Sequence, residues 1–283
     1  MSEKIKFAYS SNAYRLFSVE ECIQRIASLG YTGMELLADV PHAYPVSLLP
    51  EQKTKILKCL EENHLEISNI NAFMMNAVAD TRQTYIYPSW IEPYAPYRAL
   101  RREHTKRVLN LASELRAPSI QTEPGGPLPE GMSRKEALAI FYEEFMPCVE
   151  VAEKCGVDLL IEPEPALLIE KCEQFLEFIE KIDSSRVGLN FDLGHAFCVE
   201  DDILYWIPQL AKYIRHYHIE DISATRVHHH LIPGEGVIDF PPILKTISST
   251  GYSGFITVEL YPFQENPDDA GRKALEFFRN LCW

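Results

Sequence analysis

The sequence predicts a single (β/α)8 barrel over residues 1–283: a parallel, eight-stranded TIM barrel with a long aromatic loop between the third strand and third helix, lying over the mouth. Three observations predict it. Short β-rich runs alternate with longer helical patterns along the whole chain. Most of those runs are continuously apolar, as strands buried on both faces of a parallel sheet are. The 283 residues suit eight β-then-α units, and no linker, low-complexity segment or composition shift divides them.

The first strand is IKFAY (5–9). The turn after it, SSNAYRLF, has no glycine, which argues against a doubly wound sheet with a Gly-rich first turn. In SVEECIQRIASLG, Ser18 with Glu21 is a capping-box signature and Gly30 is a stop. LGYTGMEL then turns the chain into the second strand, GMELL (33–37), and the third is LEISNI (65–70). The connection at 72–98 is long and carries Tyr85, Tyr87, Trp90, Tyr94 and Tyr97 among prolines. That aromatic density predicts an ordered lid or an arm packing on another subunit of a homo-oligomer. The remaining strands are SIQT (119–122), DLLIE (158–162), VGLNFD (187–192), IRHYHI (214–219) and FITVEL (255–260); TGYSGFITVEL repeats the two-glycine turn seen before GMELL.

Composition narrows the function. With 46% apolar and 24% charged residues the chain is too rich in core-forming side chains to be disordered. Lys and Arg total 27 against 41 Asp and Glu, a formal charge of −14, which repels phosphate backbones and anionic membranes. Neither nucleic acid nor a membrane is an expected partner. The seven cysteines form no CxxC pair and sit mostly in apolar helical contexts, as thiols in a reduced compartment do. No signal-like h-region opens the chain and no apolar stretch approaches the roughly 20 residues of a membrane span, so a cytoplasmic location is expected.

In such a barrel the chemistry lies at the C-terminal ends of the strands. Glu162, Asp192, His218 and Glu259 stand at the ends of the fifth to eighth strand runs. Three carboxylates converging without a cation would repel one another, and one divalent ion removes the conflict. One nitrogen with three oxygens suits Mn²⁺, Co²⁺, Fe²⁺, Zn²⁺ or Mg²⁺. Around this quartet lie His195 in FDLGHAF, and Arg226, His228, His229 and His230 in RVHHHLIPGEGVIDF. Alternate residues of an extended segment point the same way, so His228 and His230 are expected at the mouth with His229 turned away, contacting substrate or a second metal. Glu35 in GMEL could reach a substrate hydroxyl. Glu164 in EPEP could share the chemistry, and His42 lies farther into the loop after the second strand.

The segments LLIEPEP, SRVGLNFDLGHAF, HYHIEDI, HHHLIPGEGVIDF and GFITVEL resemble the xylose isomerase-like barrel superfamily, which contains sugar isomerases and epimerases, dehydratases and metal-dependent AP endonucleases. The resemblance is dense in the C-terminal half. It implies that Glu162, Asp192, His218 and Glu259 hold the metal, and that His195 and Arg226 contact substrate. It also implies that Glu162 and Glu259, on opposite sides of a hydroxy-carbonyl substrate, remove and return a proton through an enediolate. The endonuclease branch holds three zinc ions with further histidines after the third and fourth strands; here Asn71 and Glu123 stand in those places. The implied activity is therefore a sugar or related hydroxy-carbonyl isomerase or epimerase. A hydroxy-keto acid dehydratase and a multinuclear zinc phosphoesterase are the alternatives. Trp90 and its neighbours would shield the site, with Glu35 and Asn71 lining it.

Overall fold

The computed structural model describes residues 5–78, 80–82 and 85–282. Eight strands close into one barrel: β1 (Lys6–Ser10), β2 (Gly33–Leu37), β3 (Glu66–Asn71), β4 (Ser119–Thr122), β5 (Asp158–Ile161), β6 (Val187–Asp192), β7 (Ile214–Ile219) and β8 (Phe255–Val258). Every neighbouring pair is parallel, and β1 pairs with both β2 and β8, so no edge is left open. The helices α1 (Val19–Leu29), α2 (Pro50–Glu62), α3 (Ala95–Glu114), α4 (Arg134–Cys155), α5 (Cys172–Ile179), α6 (Leu193–Cys198), α7 (Ile203–Leu210), α8 (Phe240–Ser249) and α9 (Pro267–Asn280) connect the strands and pack outside them. No helix among the described residues is long and apolar enough to cross a membrane.

Local sequence explains the punctuation. Ser18 and Glu21 exchange both bonds of a capping box at the start of α1, and Gly30 ends the helix at φ +94°, a left-handed conformation that glycine adopts without Cβ strain. Strands β5 and β8 stop one residue before Glu162 and Glu259. The backbone nevertheless continues in register, because Glu162 N–H donates to Thr122 O at 3.3 Å and Glu259 N–H to Ile219 O at 3.2 Å. Both side chains are therefore aimed by an intact ladder although they lie beyond the strands.

The interior of the barrel is less apolar than the sequence suggests. Ser119 Oγ donates to Asn69 Oδ1 at 2.6 Å, Asn190 Nδ2 donates to Gln121 Oε1 at 3.2 Å, and His216 bridges Asn190 Oδ1 at 3.0 Å and Thr257 Oγ1 at 2.8 Å. All six residues are buried. A satisfied polar layer of this kind specifies register more sharply than aliphatic packing, since each partner lost leaves a buried group unmatched.

The long connection after β3 is tied down by α3. Arg101, fully buried, donates to the carbonyls of Pro88 (2.8 Å), Ala72 (3.3 Å), Phe73 and Ile86 (3.4 Å). Its guanidinium also lies 3.6 Å from Glu123, equally buried. With the guanidinium shared among four carbonyls, burial dominates Glu123 and pushes it up to about 8 despite the nearby charge. Arg101→Met is expected to destabilise the protein by about 3–5 kcal/mol, because it strands those carbonyls and Glu123. A thermal melt and limited proteolysis check this: cleavage near Phe73 and Pro88 should precede global unfolding, and a variant as protease-resistant as the parent would show the loop to be held otherwise.

Candidate metal centre and catalytic cavity

Strand register assembles the centre. Asp192 and His218 are direct cross-strand partners on β6 and β7, while Glu162 and Glu259 come in from the neighbouring strands on either side. Around His218 Nδ1 lie Glu162 Oε1 at 2.8 Å, Glu259 Oε2 at 3.6 Å and Asp192 Oδ2 at 3.7 Å. All four side chains are buried, and their ligand atoms lie within 4.8 Å of one another. Glu162 Oε1, Asp192 Oδ2 and His218 Nδ1 have no well-aligned hydrogen-bond partner among the described residues. Glu162 Oε1 approaches His218 Nδ1 to pairing distance, and Asp192 Oδ2 crowds the same point.

The other side of each group is fixed. His218 Nε2 meets Glu35 Oε2 at 2.7 Å, so a proton held there leaves the Nδ1 lone pair facing the centre. Glu35 is itself held by Ser10 Oγ at 2.8 Å and Asn69 Nδ2 at 2.9 Å. Gln121 Nε2 donates to Glu162 Oε2 at 2.9 Å, and Asn12 Nδ2 to Glu259 Oε1 at 2.8 Å. Asp192 Oδ1 accepts the N–H of His195 at 2.7 Å, capping α6. Each residue thus has one atom anchored and one turned towards the shared point, which is the donor set a divalent cation needs. Burial raises Glu162 and Glu259 above the usual carboxylate range, and neighbouring carboxylates add to it. Burial disfavours the charged His218 ring, but Glu35, Glu162 and Glu259 outweigh it and raise His218 well above its ordinary value.

A histidine trio flanks the quartet. His195, His228 and His230 bring their ligand atoms within 4.8 Å of one another. His195 Nδ1 meets Pro163 O at 3.0 Å and His230 Nδ1 meets Glu259 O at 2.8 Å, which turns both Nε2 atoms inwards as lone pairs. Burial lowers His195 and His228 to about 3 and His230 well below its usual value, so the trio is neutral. His229 is exposed, as the alternation predicts. The trio, Glu162, Glu164 and Glu259 line one cavity, which Phe73, Met74, Tyr85 and Tyr261 narrow to about 30 Å³.

Over residues 23–281 the chain matches the family described as the xylose isomerase-like TIM barrel. The chain belongs to that family. Inosose dehydratase of Geobacillus thermodenitrificans is 24% identical, over 93% of this chain and 89% of the relative. Fructoselysine 3-epimerase of Escherichia coli O157:H7 is 26% identical over 93% of each. Among solved structures, the IOLI protein with a binding zinc atom superposes with a TM-score of 0.78 at 17% identity, covering 97% of this chain and 96% of that one.

Within this xylose isomerase-like barrel, several residues expected at the mouth lie elsewhere. Glu35 is fully buried beneath His218 and orients that ring instead of facing substrate. Trp90 is no lid: it is fully buried between Phe141 and Phe145, with its indole N–H donated to Thr122 Oγ1 at 3.2 Å. An indole is large and apolar enough that the core competes for it successfully. Glu123 pairs with Arg101 and is not among the residues lining the cavity. Arg226 stacks over Phe197 at 4.1 Å and donates to its carbonyl, outside the cavity. Asn71 does line the cavity and reaches Glu259 Oε1 at 3.5 Å.

Sequence reasoning missed Asn12, Gln121 and Glu220. A signal for the polar layer was present: residues two before a strand-end group are themselves polar in Asn190–Asp192, His216–His218 and Thr257–Glu259, the period of one strand face. Glu220 is fully buried beside Asp192, and burial and that carboxylate raise it well above the usual range. It fits only because residue 194 is glycine; a Cβ there would lie 1.7 Å from Glu220 Oε1 and 3.1 Å from Ile222. Gly194→Ala is expected to cost about 3 kcal/mol through overpacking. The check is a double-mutant cycle by denaturant unfolding, in which Glu220→Ala should recover most of that loss; additive losses would mean the two sites do not touch.

Proposed function

We propose that this protein is a divalent-metal-dependent isomerase or epimerase of a sugar or related hydroxy-carbonyl compound. The observation that carries the reading is the buried quartet in which Glu162, Asp192, His218 and Glu259 bring one ligand atom each to a common point. A divalent ion held there supplies positive charge beside the substrate's carbonyl and hydroxyl oxygens, favouring the enediolate. Glu162 and Glu259 approach the cavity from β5 and β8, on opposite sides of His218. One takes the proton from the carbon beside the carbonyl, and the other returns one. Return to the opposite face inverts the stereocentre, whereas return to the neighbouring carbon moves the carbonyl. Asn12 and Gln121 hold the two carboxylates in line for those transfers.

His195, His228 and His230 present neutral nitrogens to the remaining substrate oxygens or to a second ion. Phe73, Met74 and Tyr85 swing aside for entry, because about 30 Å³ does not admit a sugar. The family likeness supports this class of chemistry, since a relative is named a 3-epimerase. Another is named a dehydratase, and proton abstraction followed by loss of water is the second reading. The test is metal-loaded enzyme, with metal counted per chain, incubated with keto sugars and inososes in D₂O. Deuterium at the carbon beside the carbonyl with retained formula supports the proposal. Loss of water assigns the dehydratase, and two or three zinc ions with phosphoester hydrolysis would overturn both.

A further inference from the structure

Outside the barrel mouth, α3 and the loops after β2 and β3 border a second, half-open cavity of about 330 Å³. Tyr44, Val46, Met75, Val78 and Leu100 supply apolar walls, and Glu103, His104 and Arg107 stand on one face of α3 at the cavity. His104 is 4% exposed, and neither ring nitrogen has a hydrogen-bond partner among the described residues. A neutral imidazole carries one donor and one acceptor, so burying both unmatched is costly unless something else meets them. The ring lies along Tyr44, with centroids 6.0 Å apart. Arg107 is exposed and makes no ion pair among the described residues, whereas Glu103 beside it is occupied by Arg102 at 3.4 Å and Lys106 at 3.3 Å. An unopposed guanidinium next to an unmatched, buried imidazole is unusual in a chain of charge −14.

We propose that this cavity binds a small amphipathic monocarboxylate, its carboxylate on the Arg107 guanidinium and the His104 ring N–H, its hydrocarbon body along Tyr44, Met75 and Leu100. The planar guanidinium matches a carboxylate in two-point contact. The apolar walls select against inorganic anions, which would remain solvated instead. A half-open space of about 330 Å³ accommodates a phenyl- or hexyl-bearing acid.

The site also touches the catalytic cavity. Met75 lines this cavity while its neighbour Met74 lines the catalytic one, as successive residues of an extended segment do. A bound acid therefore braces the segment carrying Phe73 and Met74. That regulatory consequence rests on the proposed function; binding itself does not.

Titration calorimetry of the full chain with 3-phenylpropionate is the test. The expected result is saturable binding with Kd below about 1 mM. The matching alcohol, 3-phenylpropanol, and inorganic phosphate should bind at least about tenfold more weakly, as should 3-phenylpropionate to Arg107→Met and His104→Phe. Arg107 is exposed, so its variant keeps the test open should His104→Phe fail to fold. Glu162→Gln should leave the affinity unchanged, which separates this site from the catalytic cavity. The proposal is overturned by absence of saturation, by equal binding of the alcohol or phosphate, or by an affinity that responds to Glu162→Gln and not to Arg107→Met. Because calorimetry reads no turnover, failure of the isomerase reading leaves the outcome interpretable.

Discussion

Glutamine in place of Glu259 is expected to reduce solvent-deuterium exchange into substrate by about 10³-fold or more, and the same change at Glu162 should do likewise. The amide keeps the shape of the carboxylate and the contacts of Oε1 with Asn12 and Asn71, but it cannot accept a proton in the reaction. Loss of exchange without loss of fold would place each carboxylate in proton transfer. Proton NMR of a reactive keto sugar in D₂O, with circular dichroism as the control for folding, makes the measurement. If either variant exchanges within tenfold of the parent, that carboxylate is not the base or acid. The two variants can also differ: exchange that survives in one direction only would assign the base to one face of the substrate.

Chelation is the second large effect. On the proposed reading, removing a divalent ion leaves Glu162, Asp192 and Glu259 facing one another around His218. A ligand held at about a thousand times its Kd stabilises the native state by roughly 4 kcal/mol. For a domain of this size that corresponds to a fall of about 10 °C in Tm on chelation. His218→Ala should lack the metal from the outset and show no further fall with chelator. Calorimetric melts of both proteins, with metal content by elemental analysis, test this. A parent that stays metal-free after reconstitution, with a Tm indifferent to chelator, would remove the metal from the centre.

Much of this architecture is legible in one dimension. The capping box at Ser18, the stop at Gly30 and the apolar runs of the strands are local signals, because they depend on backbone conformation and on solvent within a few residues. The positions of Glu162, Asp192, His218 and Glu259 are legible for a related reason: each lies within one residue of a strand's C-terminal end, and strand ends in a barrel of this kind open on a common mouth. The aromatic loop was harder. Trp90, Tyr85 and Tyr97 look alike in the sequence, yet Trp90 is fully buried, Tyr85 lines the catalytic cavity and Tyr97 is 43% exposed. Which ring a core accepts depends on the space left by α4, namely Phe141 and Phe145, and that space is not written near residue 90.

The sequence by itself determined the barrel, the rim on which its chemistry sits and the four groups that crowd its centre. It did so because hydrophobic period and strand termination are local properties. Only the tertiary structure decided how those groups are oriented. Glu35 meets His218 across 183 positions and Asn12 meets Glu259 across 247, and both contacts exist because eight strands close in one register. It likewise placed His104 and Arg107 at an outer cavity that no motif announces, since a side chain's unmatched hydrogen bonds are defined only once everything around it is packed.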